Sequence, residues 1–469
     1  MGVHVSPRVD HYWRQDLDQG PIHTPRLYMS QKRFEQIKRY LHISRPTSAD
    51  NHRPGDKRWW YKLEPLASTF ERAARQYYQP GSNVSVDETM IRCFGRTKHT
   101  VKMPNKPIKQ GYKIFALADR GYIWTFTWSS RLWGIVDLFR WPDISPTSSM
   151  VLEMIRKLPG LPLSHAGSHA GSHAGSHAGS HAGSHTALYS VYMDNYFSTV
   201  GLFKALRDIR CGACGTTRKQ GGIPSQLVEL KEHIKSIPWG RLYISEARGI
   251  LCLAWQDNNI VLLLSTIHSP YDYVLVERRK PSATSTNAAI ARAPFSSGAE
   301  AAGIWKKQLD IPVAINDYNH YMGGVDIANQ YRSSYEIHLR AMRTWFPLFF
   351  FFLDAAIVNA YRIQYIAKEQ QGQAKPSQLQ FREKLYQELF AAHAPPPRVQ
   401  PRPNCQQTEA RYHQRISLGR RIACAWCQFK REKGKRGQQA PRGMYGCGEC
   451  GGIPLCLKGR CWDEFHYSD

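Results

Sequence analysis

NVSVDETMIRCF, residues 83–94, is where the period of this chain changes. Upstream, MSQKRFEQIKRYLHIS (29–44) places Phe34, Ile37, Leu41 and Ile43 near helical spacing, and residues 64–78 repeat the pattern. From residue 82 the apolar residues alternate instead. YKIFALAD (112–119) and YIWTFTW (122–128) continue as short β-rich runs, parted by turn signals such as Asp119-Arg120-Gly121. A helix over 150–158, a strand over 189–193 and a helix over 197–209 follow. Alternating strands and helices predict an α/β fold with a mixed sheet.

Around this centre, residues 1–80 read as a helical N-terminal part, with Trp59, Trp60 and Tyr61 packing where those helices meet the next domain. The first strand-rich part spans 81–222. It is interrupted at 164–185 by five copies of Ser-His-Ala-Gly and a sixth Ser-His, which carry no residue able to form a core and predict a disordered surface loop. RLYIS, ILCLAW and IVLLLSTI (241–267) make 223–315 β-rich, and residues 277–300 read as an exposed polar loop. Helices return over 316–392, a Pro-rich linker covers 393–420, and a cysteine-rich module closes the sequence at 421–469.

With 63 Lys and Arg against 37 Asp and Glu among 469 residues, the formal charge is +26. That balance favours a polyanionic partner, since cations on the protein displace the counterions of phosphates. MGVHVSPRVDHYW has no apolar core of a secretory signal. The longest apolar run, 345–353, is too short for a membrane span and is closed by Asp354, so it predicts a buried helix and no membrane partner.

Three acidic residues stand out. Asp87 lies inside a β-run, Asp194 just past the end of another in Tyr192-Met193-Asp194-Asn195, and Asp326 at the mouth of a helix in Gly323-Gly324-Val325-Asp326. A carboxylate among apolar strand residues is costly to bury unless paired or bound to metal. Two sheet carboxylates and one on a helix could make an oxygen cage of the kind Mg²⁺ prefers. Taken singly, each also reads as a cap or an ion-pair partner.

The segments SVDETMIRCFGR (85–96), MPNKPIKQGYKIFALAD (103–119), YMDNYFS (192–198) and YNHYMGGVDIANQYR (318–332) resemble, in order, those of the piggyBac family of cut-and-paste transposases. RTWFPLFFFFLDAAIVNAY (343–361) resembles the family's helix after the third acid. The resemblance implies an RNase H-like mixed-sheet core with a β-rich insertion between the second and third acids. It makes Asp87, Asp194 and Asp326 a catalytic triad using two Mg²⁺ ions to cleave and transfer DNA strands at transposon ends. It further implies double-stranded DNA as partner, a homodimer and a nuclear location. Lys102, Lys106, Lys109, Lys113, Arg332, Arg340 and Arg343 then become candidates for holding DNA phosphates. In the family a further acid stands three positions after the third Asp; here it is Asn329, which offers a metal an oxygen without a charge. The sequence also opens where the family's core opens, so the region that precedes the core is expected to be missing. A catalytically inactive, domesticated DNA-binding protein is the alternative function.

Of eleven cysteines, six fall between 424 and 461 in paired spacing. Cys424-x2-Cys427 and Cys447-x2-Cys450, with Cys456, Cys461 and His466, predict a zinc finger holding one or two Zn²⁺. Seven ligands are one short of two closed sites; the eighth is His413, Cys405 or a water, His413 first. Cys211-x2-Cys214 has no second pair and reads as ordinary buried thiols. The basic stretch FKREKGKRGQQAPR (429–442) suits phosphates and nuclear import.

Overall fold

Strand β1 (Asn83–Arg92) is buried along most of its length because both faces of its sheet are covered. Neighbouring strands show the same division by parity. In β3 (Gln110–Asp119), Phe115 and Leu117 enter one core while Ile114, Ala116 and Ala118 enter another. The first core is closed by α4 (Pro146–Arg156) and α5 (Val200–Asp208), through Met150, Val151, Leu202 and Phe203. The second is closed by α3 (Glu64–Tyr77), α9 (Gly324–Ser334) and α10 (Phe346–Gln370), through Phe70, Val325, Ala328, Phe351 and Phe352. The result is an α/β fold with helices on both faces of a large mixed sheet.

This computed structural model describes residues 2–3, 5–6, 8–14, 25–45, 57–136, 138–161, 187–295, 305–339, 343–393, 413–432, 440–448, 450–456 and 460–467. The Ser-His-Ala-Gly tract, Arg340, Cys405 and part of the basic stretch in the finger lie outside them. The chain divides into two compact units, one of Met1–His4 with His42–Leu385, the other of Val5–Leu41 with Tyr386–Asp469.

In the first unit the sheet order is β5-β4-β3-β1-β6-β7-β10-β9-β8, with β2 (Val101–Lys102) on β3. β1, β3, β4 (Tyr122–Ser130) and β5 (Gly134–Ile135) are antiparallel neighbours. β6 (Tyr189–Met193) and β7 (Cys211–Thr216) run parallel to β1, and the connections that reverse the chain carry α4 and α5. The β3–β4 turn holds Arg120 at φ 48° and Gly121 at φ 88°, the left-handed pair a two-residue hairpin needs. Trp59 and Trp60 stack on His99, Tyr112 and Trp128, inside the second core.

The strands read as an insertion divide in two. β8 (Leu242–Ala247), β9 (Ile250–Gln256) and β10 (Ile260–Ser265) extend the main sheet, since β10 pairs with β7. The leucines of β10 point to two cores, Leu262 and Leu264 to the first and Leu263 to a third, so the strand must be covered on both sides. β11 (Tyr273–Arg279) and β12 (Lys306–Pro312) form their own two-stranded sheet, with short α7 (Ala288–Arg292) in the intervening chain and α8 (Val313–Tyr321) after it, while short α6 (Ser225–Glu229) lies between β7 and β8. α10 is long and apolar enough to cross a membrane by composition, and here its apolar face fills the second core. Asn359 of α10 is buried because its amide exchanges both hydrogen bonds with the backbone of Ile123, at 2.9 and 2.8 Å.

The second unit holds α1 (Pro25–Tyr28) and α2 (Gln31–Tyr40), the end of α11 (Gln378–His393), and the cysteine-rich module. That module is a three-stranded sheet of β13 (Arg415–Ala423), β14 (Arg442–Cys447) and β15 (Ile453–Pro454) with α12 (Ala425–Glu432) and α13 (Cys461–Tyr467). Among its described residues the buried cluster is Trp426, Leu455 and Phe465 with four cysteines, and Ala440 is buried besides. So few apolar side chains cannot offset the chain entropy of about fifty residues, and the cysteines must supply the difference.

Candidate functional site

The register of β1 and β6 builds the first site. The last parallel pair is Val86↔Met193, so Asp87 and Asp194, one residue further along each chain, lie side by side where the parallel pairing stops, Asp194 past the carboxyl end of β6 and Asp87 midway along β1. Ligands of open α/β sheets bind outside the carboxyl ends of the strands. Asp326 arrives from the second-core face, in the first turn of α9, where a carboxylate is favoured by the helix dipole. Gly324 lets α9 come this close: a Cβ there would meet Ser85 Oγ at 2.4 Å and the Ala118 carbonyl at 3.2 Å.

Asp87 is only 5% exposed. Burial pushes its carboxyl up to about 7, the charges of Asp194 and Asp326 add to the rise, and the Glu88 N–H, donating to Asp87 Oδ1 at 2.7 Å, and Lys106 oppose it. Burial also raises Asp194, Glu88 adds to the rise, and the Tyr196 N–H (2.8 Å to Oδ1), Lys106 and Arg218 oppose it. The three carboxylates thus share one field, although they are not drawn to within 4.8 Å of one another as the C-terminal ligand sets are. Like charges hold apart until a cation lies between them.

The stability consequence follows from the sign of the Asp87 shift. A carboxyl raised from 3.8 to about 7 keeps in the folded state a proton that the unfolded chain releases. Its contribution is complete below about pH 4 and is lost as pH rises to about 7, at most about 4 kcal/mol. In Mg²⁺-free buffer the melting temperature should fall between pH 5 and 8 more steeply for the parent than for Asp87→Asn. Equal slopes in calorimetry would contradict the burial of this charge.

The candidate cations stand in different surroundings. Lys113, 12% exposed, reaches Glu88 at 2.5 Å and covers the rings of Phe115 and Tyr196, so it is built into the fold. Lys106 holds Glu88 at 3.0 Å and faces the carboxylates. Lys102 and Lys109 are exposed on one cleft with Arg92. Arg332 corrects the sequence reading: it is 8% exposed, over the ring of Phe351, with its Nη1 donating to Asn329 Oδ1 at 3.1 Å. A guanidinium in that position faces a helix and not a DNA surface, because the basic residue at i+6 from Asp326 points into the packing of α9 on α10. Arg343 lies over Phe346.

Sequence reasoning missed Glu88, Arg218 and Tyr318. Arg218 donates to Asn195 Oδ1 at 2.9 Å beside Asp194. The Tyr318 hydroxyl is 3.2 Å from Thr216 Oγ1; burial carries its phenol up to about 12, and the charges of Asp194 and Asp87 add to that. The pairing of β1, β6 and β7 and the packing of α8 on β1 and β7 bring these residues together, and no local pattern announces it.

The second site lies in the cysteine-rich module. Cys424, Cys427, Cys456 and Cys461 form one set, and His413, Cys447, Cys450 and His466 a second, each with ligand atoms within 4.8 Å. Cys427 Sγ is 3.3 Å from Cys461 Sγ and 3.6 Å from Cys456 Sγ; His413 Nδ1 is 3.4 Å from Cys447 Sγ. Edges of a tetrahedron with bonds near 2.3 Å to sulfur are roughly 3.8 Å, close to these separations. His466 Nδ1 meets the Trp462 carbonyl at 2.8 Å, which leaves Nε2, 3.6 Å from Cys450 Sγ, as the ligand atom. His413 thus completes the second set. Cys211 and Cys214 are buried in β7, and burial raises both thiols.

Comparison with known proteins agrees with this architecture. The transposase IS4 family model matches residues 1–169 and 173–361. PiggyBac transposable element-derived protein 3 of Homo sapiens is 26% identical over 432 residues, and PiggyBac transposable element-derived protein 2 of Homo sapiens 23% over 430. Each alignment takes in 90% of this chain, which spans 63% of the relative's length. Among solved structures, a piggyBac transposase synaptic complex with hairpin DNA superposes at TM-score 0.57 over 82% of this chain and 68% of that one, at 19% identity, a likeness of fold. With a family model matched over most of its length and piggyBac-derived relatives along nine-tenths of it, the chain belongs to the transposase IS4 family, of piggyBac type.

Proposed function

We propose that this protein is a metal-dependent DNA strand-cleaving and strand-transferring enzyme, with Asp87, Asp194 and Asp326 as its catalytic carboxylates. The observation that carries the reading is the register Val86↔Met193, which sets two acids side by side where the parallel pairing of β1 and β6 stops, beside the helix bearing the third. The strand order β4-β3-β1-β6-β7, antiparallel then parallel, supports an RNase H-like core. The donor set, three carboxylates with one of them buried among like charges, fits hard divalent cations such as Mg²⁺. When bound, two such ions supply an activated attacking oxygen and charge neutralisation on the leaving oxygen. The chain's own part is to hold the carboxylates, with Lys106 and Arg218 beside them offering phosphate contacts at the strand ends. The C-terminal sets hold two structural Zn²⁺ ions, and the basic finger joins in binding the DNA, in a dimer acting in the nucleus.

The experiment is cleavage of end-labelled duplex DNA by the full chain with Mg²⁺ or Mn²⁺, beside binding measured across a salt series. Cleavage is expected only with metal, and log affinity should fall with log salt by about 0.9 per neutralised phosphate. Tight, salt-dependent binding without cleavage favours a second reading, a DNA-binding protein that has lost catalysis. Asn329, whose side-chain oxygen is engaged by Arg332, is the observation on that side. No DNA binding at all would defeat both.

A further inference from the structure

Phe94 stands 80% exposed two residues past the end of β1. It lines a cleft of about 500 Å³ together with Arg92, Lys102, Pro107, Ile108 and Lys109. We propose that this cleft binds one unstacked nucleotide of the DNA strand, its base on the Phe94 ring and its flanking phosphates on Lys102, Lys109 and Arg92. The proposal rests on the DNA reading above and adds to it a separate subsite for a flipped base.

Three features select this occupant. The lining carries three cations and no acid, although Glu336 approaches Arg92 Nη1 at 3.8 Å from outside the cleft. The remainder of the wall is Phe94, Pro104, Pro107 and Ile108, with Gln110 as its one uncharged polar side chain. Apolar rings beside cations are how proteins hold single-stranded nucleic acid, each base stacking on a ring while phosphates meet Lys and Arg. The volume, near the low end of roughly 300–1,000 Å³ for small-ligand sites, admits one nucleotide and excludes a duplex.

The strand itself sets the distance to the cleavage site. Arg92 is five residues beyond Asp87 on β1, or about 17 Å at roughly 3.3 Å per residue. A DNA strand advances about 3.4 Å per nucleotide, so the flipped base should lie about five nucleotides from the bond that Asp87 addresses.

The test uses the full chain and duplexes with a single thymine moved through positions three to seven from the cleaved bond. Permanganate reads unstacked thymine. Reactivity is expected to peak near position five with the parent and with Phe94→Trp, and to vanish with Phe94→Ala. Affinity of Phe94→Ala for single-stranded DNA should drop roughly 5- to 150-fold, the range for one stacked base, with an unchanged salt slope. A Lys102→Met, Lys109→Met double variant should instead lower the single-strand slope by about 1.4. DNA bound tightly with uniform permanganate reactivity, or a Phe94→Ala affinity equal to the parent's, overturns the subsite and leaves the DNA reading standing. A parent chain that binds no DNA overturns both. Because Phe94 is exposed, its replacement leaves the core intact, and the Trp variant separates a lost ring from a damaged fold.

Discussion

Asp194→Asn is expected to abolish Mg²⁺-dependent strand cleavage, by a factor on the order of 10³ or more, while DNA affinity stays within about twofold. The amide keeps the shape and an oxygen, so the Tyr196 N–H still has its acceptor. What is lost is a charge in the cluster proposed to hold divalent cations. Several kcal/mol of charge stabilisation in the transition state correspond to roughly that rate factor. The phosphate anchors proposed for DNA include exposed cations such as Lys102 and Lys109, which this substitution does not touch. Asn329→Asp is the informative companion. From sequence, restoring an acid there should raise metal affinity and cleavage. The Arg332 guanidinium 3.1 Å from that oxygen would neutralise the new charge locally, so any gain should remain below about tenfold. Single-turnover cleavage and equilibrium binding on both variants check this. Normal cleavage by Asp194→Asn removes Asp194 from the catalytic set.

The difference between those two positions shows what a sequence conveys. Asp87 and Asp194 stand out because a carboxylate in or beside a buried strand is expensive, but taken singly each also reads as a cap or an ion-pair partner, and it is the resemblance to piggyBac transposases that implies their shared role. The strands around them are legible from their own pattern: a two-residue alternation feeding two cores leaves a periodic trace, as Phe115 and Ile114 do. Arg332 misleads because its surroundings are set by α10, whose contact residues lie about twenty positions later. A cation after an acidic helix start reads as exposed until the ring of Phe351 is laid over it. Strands β8 to β10 are legible as strands, but their place in the sheet is not. Their composition is that of any β-rich segment, and only the pairing of β10 with β7 makes them part of the main sheet. Glu88 left no trace at all, since its partners Lys106 and Lys113 meet it through the fold.

Removing zinc should unfold the cysteine-rich module and leave the strand core folded. The module buries Trp426, Leu455 and Phe465 beside its cysteines, and an apolar cluster of that size contributes only a few kcal/mol. A structural Zn²⁺ site contributes about 10–16 kcal/mol at neutral pH, so the two ligand sets outweigh every other stabilising term there. The sets interleave along the chain. His413 at the start and His466 at the end belong to one, and Cys424, Cys427, Cys456 and Cys461 between them to the other, apart from the Cys447–Cys450 knuckle. Emptying either set therefore releases the strands that position the other. Purified protein should contain two zinc ions per chain. His413→Ala or Cys461→Ser should each cost one ion outright and weaken the second. Hydrogen exchange after chelation in reducing buffer should lose protection in β13 and β14 and keep it in β1 and β3. If β13 and β14 remain protected in metal-free protein, the thiols and imidazoles pack without a metal and the zinc assignment falls.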